Sequence, residues 1–136
     1  MDGGGGYYVF DRDHLVGHAD MDAQHRRMVH LLAAAAQALR EGADRSSVQR
    51  HFDEYVAYTR FHFGSEERLM LIQGYGRAEQ HREHHARLLA QLATLQRDFA
   101  DEDPDNTLAA AYEWLMAHIE RSDKDLGAFL QHNAPG

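Results

Sequence analysis

Apolar side chains recur along four stretches of this chain at alternating steps of three and four, the period of helices that bury one face. From Met21 to Arg40 the seam reads Met21, His25, Met28, Leu32, Ala35 and Leu39, and Glu41-Gly42 ends it. Ser46, with Gln49 three residues on, reads as a capping box that opens a second helix. Phe52, Tyr55, Thr59, His62, Glu66, Leu69 and Gln73 carry its seam to the turn signal Gly74-Tyr75-Gly76. A third helix is expected from about Arg77 to Ala100, with the seam His81, His85, Leu88, Leu92, Leu95 and Phe99. After the acidic link Asp101 to Asp105, which contains Pro104, a fourth carries Leu108, Ala111, Leu115, His118, Ser122, Leu126 and Phe129 inward. No stretch alternates with period two. The pattern predicts an all-α, up-down-up-down antiparallel four-helix bundle over residues 19–131, with an N-terminal arm over 1–18, in one domain spanning 1–136. Tyr7, Tyr8, Val9 and Phe10 have no helical period and are expected to lay the arm's aromatics on the bundle, with Gly3 to Gly6 as a mobile tip.

Composition narrows the classes. With 43% apolar and 26% charged residues, the 136-residue chain has the make-up of a globular domain. Its longest apolar run, Leu31 to Ala36, is far below the 18 or more residues of a membrane span. The start has neither the charged nor the apolar region of a secretory signal, so a cytoplasmic protein is expected. A formal charge of −8 argues against nucleic acid, and a monomer is expected. With no cysteine, disulfides, thiolate metal sites and cysteine nucleophiles are all excluded. Against that background, eleven histidines are a marked excess.

The seams explain part of it. A bundle interior favours Leu, Ile and Ala, because an imidazole or carboxylate buried without a partner costs several kcal/mol. Yet His25 lies on the first seam, His62 and Glu66 on the second, His81 and His85 on the third and His118 on the fourth, with Asp123 nearby. A shared metal cluster satisfies all seven at once. His62 and Glu66 are four apart, as are His81 and His85, so each pair projects from one face. Glu67, five from His62, breaks the seam, and His84 lies beside it. Asp123 follows His118 by five residues, roughly 500° of helical rotation, which leaves the two side chains about 140° apart. They must approach the cluster from two sides, or a π-bulge must bring them together. His14, His18, His30, His51, His84 and His132 lie off the seams and are assigned surface, capping or supporting roles.

Met21-Asp22-Ala23-Gln24-His25, His62-Phe63-Gly64-Ser65-Glu66-Glu67, His81-x-x-x-His85 and Trp114-Leu115-Met116-Ala117-His118-Ile119 with Asp123 resemble the hemerythrins, in particular the bacterial single-domain kind. The resemblance runs over about residues 14 to 130. It implies two non-haem iron ions joined by an oxo or hydroxo bridge: His25 and His62 on one, His81, His85 and His118 on the other, with Glu66 and Asp123 bridging. It also implies that Trp114, Leu115 and Ile119 form an apolar wall beside the open iron. The family often has proline where this chain has Gly76, and a tryptophan in the arm where this chain offers Tyr7, Tyr8 or Phe10.

If each iron takes about six ligands, the one with three histidines is full and its neighbour has one vacancy. The function that the resemblance implies is reversible binding of dioxygen there, for transport, storage or sensing, by a protein that is not an enzyme and has no catalytic residues. Two other readings stay open on the sequence: an enzyme acting on peroxide or nitric oxide at the same centre, and an iron-handling module.

Overall fold

A computed structural model describes residues 8–132. Tyr7 and the Gly3 to Gly6 run fall outside the described residues. Four long helical rods make the bundle: α1 (Ala19–Arg40), α2 (Arg45–Gln73), α3 (Ala78–Arg97), and a last rod in which α4 (Pro104–His118) passes through a π-turn (Ile119–Asp123) into α5 (Lys124–His132). α2 packs on α1 and α3, and α4 packs on α1, α2 and α3. The all-α four-helix bundle expected from the seams is the fold observed.

Side chains within a few residues of each boundary set the helix ends. The capping box at Ser46 is not used. Asp44 takes the cap instead, its carboxylate accepting from the Ser47 backbone N–H at 2.9 Å and from the Ser46 hydroxyl at 3.0 Å, so α2 opens at Arg45. Gly74 closes α2 in the left-handed region, at φ 71°. α1 starts two residues before Met21 because the His18 imidazole caps it through the Met21 N–H. α3 stops at Arg97, short of Ala100, and Phe99–Asp101 forms a separate 3-10 turn. The acidic link is shorter than expected. Asp103 caps α4, and Pro104 sits in its first turn, where a missing N–H is harmless.

One half of the interior is aromatic and aliphatic: Phe52 stacks on Tyr55 and Phe99, with Leu32, Ala35, Val48 and Leu108 buried around them. The other half holds the polar seam residues. The seam also shifts in the last rod. Ser122 and Phe129, expected to face inward, are half-buried, whereas Asp123 and Leu130 are buried. The π-turn inserts one extra residue after His118, so every later inward position moves by one except Leu126, which lies within the widened arc. Gln73, at the end of the second seam, is exposed.

The described part of the arm, from Tyr8 to His18, is pinned at both ends. Tyr8 meets the Tyr112 ring edge-on, and the Tyr112 hydroxyl donates to the Val9 carbonyl at 2.7 Å. Phe10 is half-buried, 6.3 Å from the His25 ring, with Arg26 over its other side. The buried Asp22 carboxylate accepts from the N–H groups of Val16 and Gly17 at 2.8 and 3.2 Å. Where the arm crosses α5, the Val16 backbone runs directly over Gly127.

Candidate metal centre

The five histidines and two carboxylates of the seams converge between the rods. All seven are buried, the most exposed being His81 at 5%. Their donor atoms fall into two overlapping groups. Glu66, His81, His85, His118 and Asp123 form one, and His25, His62, Glu66 and Asp123 the other; in each, one donor per residue lies within 4.8 Å of all the rest. Glu66 and Asp123 belong to both.

Two local features put the carboxylates there. Glu66 follows His62 by one turn of regular helix, and its Oε2 lies 2.9 Å from His62 Nε2 while its Oε1 lies 3.1 Å from His81 and His85 Nε2. Asp123 reaches the same space because the π-turn takes up the surplus residue between it and His118. Its Oδ1 is 3.1 Å from both His118 and His81 Nε2, and its Oδ2 is 2.8 Å from His25 Nε2. Of the two ways the sequence left open, the π-turn is the one used.

Apart from His81 Nε2 with Glu66 Oε1, this proximity is not hydrogen bonding. Among the described residues, nine buried side-chain atoms have no hydrogen-bond partner, including Nε2 of His25, His62, His85 and His118, Glu66 Oε2 and both Asp123 oxygens. So many unpaired buried donors and acceptors pointed at one another would be prohibitively unfavourable by themselves. They suit bound cations: neutral imidazoles and anionic carboxylates are ligands, and two shared carboxylates match a pair of ions rather than one. Without cations, protons take their place. Burial pulls the His25 and His81 imidazoles down, but Asp123 and Glu66 outweigh it and raise each to about 9. Both carboxylates, pushed up by burial, are held well below their ordinary range by the surrounding imidazoles.

The sequence reading missed the groups that aim the histidines. Gln24 Oε1 is 2.6 Å from His62 Nδ1, and Glu67 Oε2 is 2.9 Å from His85 Nδ1. Glu67 leaves the α2 seam, and that offset is what turns it toward α3. Phe63 lies flat on His85, ring centroids 3.7 Å apart. The available signal was chemical: a ligating imidazole leaves its other nitrogen seeking an acceptor. His84 edges against His118 at 4.9 Å, and burial, together with the charges of His118 and Arg87, lowers its pKa to about 4.

One helical turn from His25 and His62, Met28 and Thr59 join Phe63, Trp114, Leu115 and His118 around a narrow cavity of about 10 Å³, roughly the space of one water. Trp114 and Leu115 both line it. Ile119 is buried and does not line this cavity.

The family model described as "Hemerythrin HHE cation binding domain" matches residues 16–130. The chain belongs to the hemerythrin family. Among its relatives, a bacteriohemerythrin of Methylococcus capsulatus is 31% identical over 80% of this chain and 85% of its own length. A bacteriohemerythrin of Stenotrophomonas maltophilia is 32% identical over 85% and 76%. A myohemerythrin of Riftia pachyptila is 27% identical over 85% and 88%. A solved wild-type hemerythrin superposes with a TM-score of 0.81 at 26% identity, covering 90% of this chain and 96% of that one. As a hemerythrin, this is a non-haem di-iron protein.

Proposed function

We propose that this hemerythrin binds dioxygen reversibly, as a carrier or store rather than as an enzyme, and that His25, His62, Glu66, His81, His85, His118 and Asp123 are its iron ligands. The observation that carries the reading is the inequality of the two donor groups, three imidazoles on one side and two on the other, around two shared carboxylates. Iron held by these residues would have one protein ligand fewer on the His25–His62 side than on the side of His81, His85 and His118, and would leave room there for an exogenous ligand. When bound, the iron pair supplies the electrons that hold dioxygen at that position.

The chain's own residues do the rest. Glu66 and Asp123 supply the negative charge that holds two cations in a dry interior. Gln24 and Glu67 fix the ring orientations of His62 and His85. Met28, Phe63, Trp114 and Leu115 leave little more than a water's volume nearby, which keeps bulk solvent and its protons away from the ligand. Tyr55 also lines that cavity, but burial pushes its phenol up, so it stays protonated at neutral pH and supplies no base. The net charge of −8 suits a freely diffusing carrier.

Metal analysis with optical spectra, in air and after deoxygenation, tests the proposal. Two irons per chain and an absorption band that appears with air and vanishes when oxygen is removed are expected. One metal per chain, or zinc, rejects it, and sustained turnover of peroxide or nitric oxide rejects the carrier role.

A further inference from the structure

On the outer side of the bundle, away from the apolar cavity, a cleft of about 290 Å³ opens between α3 and the π-turn. Arg77, Gln80, His84 and Arg87 recur along α3 at steps of three, four and three, so they form one stripe beside the His81–His85 seam and all face this cleft. The π-turn contributes Arg121 and Ser122 from the opposite wall, α5 contributes Asp125, and Tyr75 closes one end.

Three guanidinium groups therefore meet one carboxylate, in a protein with 22 acidic and 14 basic residues. The carboxylate is engaged: Asp125 pairs with Arg77 at 3.2 Å. Of the nearby acids on the same elements, Glu79 pairs with Arg82 and Glu120 with Lys124, while Glu83, one turn before Arg87, lies more than 4.0 Å from its guanidinium. Among the described residues, neither Arg87 nor Arg121 has a carboxylate within 4.0 Å. Two arginines without a paired acid, facing each other across a concave site, leave a local positive field that attracts anions. The guanidinium fork matches phosphate oxygens two at a time, and the hydroxyls of Tyr75 and Ser122 with the Gln80 amide add neutral donors.

We propose that this cleft is a binding site for a phosphate dianion, free or as a monoester, held between Arg87 and Arg121. The site abuts the centre, for Ser122 precedes Asp123 and His81 forms part of the cleft floor. An anion that draws on Arg121 and Ser122 acts on the turn from which Asp123 reaches the cluster. This coupling, unlike the binding itself, rests on the oxygen-binding reading.

The test is titration of the iron-loaded protein with inorganic phosphate, and in parallel with adenosine monophosphate, by calorimetry and phosphorus NMR at constant ionic strength set with sodium chloride. Saturable one-to-one binding is expected, at least about tenfold weaker in R87Q/R121Q, since each lost charge-assisted contact weakens binding by about that factor. Both arginines are exposed, so the variant should keep its iron and its melting temperature. Tighter binding of the monoester identifies that as the preferred form, whereas equal affinities identify the free dianion as sufficient. Absence of saturable binding, or equal binding by wild type and R87Q/R121Q, as when phosphate coordinates iron directly, overturns the site. Phosphate should also shift the oxygen pressure of half-saturation in wild type and not in the variant. Binding without that shift overturns the coupling alone, and a protein that binds phosphate but never oxygen overturns the functional reading alone.

Discussion

Glu67 Oε2 lies 2.9 Å from Nδ1 of His85, so two consecutive glutamates on α2 serve the same imidazole from opposite sides. Glu66 faces the Nε2 edge with an oxygen 3.1 Å away, and Glu67 holds the Nδ1 edge. With Phe63 flat against the ring, His85 has no freedom to turn.

Glu67→Gln should therefore keep the fold but loosen the metal. A carboxamide in this position replaces a charge-assisted contact with a neutral one, and substitutions of such supporting groups weaken metal binding roughly 10- to 100-fold. Competition with a chelator should show iron leaving the variant faster than wild type. Equal rates would mean that Phe63 alone positions the ring.

Glu66→Ala should remove the pair of ions altogether. Glu66 belongs to both donor groups, and its loss leaves Asp123 as the only carboxylate among five buried imidazoles. Fewer than one iron per chain is expected, and two retained irons would contradict the ligand assignment. His84→Ala, which touches the His118 ring but belongs to neither donor group, should leave the iron content unchanged.

Much of this centre was legible in the residues because its rules are periodic. Four regular helices place side chains every 100° or so, and a polar residue on an apolar stripe therefore announces itself. His25, His62, Glu66, His81, His85 and His118 all follow that arithmetic. Asp123 does not, since a π-turn breaks the period and no residue type between Ile119 and Asp123 encodes it; only the mismatch with His118 betrays it. Ser122 and Phe129 depart from the expected seam for the same reason. Gln24 and Glu67 were hidden differently, because their role depends on how neighbouring rods are rotated, which a single helix's pattern does not contain. At the start of α2, two good capping residues stood two positions apart, and local propensity alone does not choose between Asp44 and Ser46.

The crossing of arm and α5 gives a stability prediction. A Cβ built on Gly127 would lie 2.1 Å from the Val16 carbonyl oxygen, a contact with backbone that no rotamer change relieves. Gly127→Ala should force the two segments apart at about 1–3 kcal/mol, the usual range for overpacking. Thermal or urea unfolding should show a loss of that order, together with weakened Asp22 contacts to Val16 and Gly17. An unchanged melting temperature would show that the arm can lift off without consequence.

Removing the metal should make stability depend on pH at both ends of the scale. In the metal-free protein the His25 and His81 imidazoles titrate at about 9, above their ordinary 6.5. A group whose folded value is raised stabilises fully below the unfolded value and ceases to do so as pH climbs past the folded one. Their contribution is therefore complete below about 6.5 and is lost between about 6.5 and 9. Glu66 and Asp123 behave oppositely. Their folded values lie below the ordinary 4.5 and 3.8, so their contribution is present above that range and fades as pH falls through it. Urea midpoints of metal-free protein should thus be highest near pH 5 to 6 and fall in mild alkali. In the iron-loaded protein the imidazoles are bound neutral, protons no longer hold them in place, and the alkaline decline should disappear while the acid decline remains. Midpoints measured from about pH 3 to 9 for both forms check this, and parallel curves would show that the imidazoles are not where the metal binds.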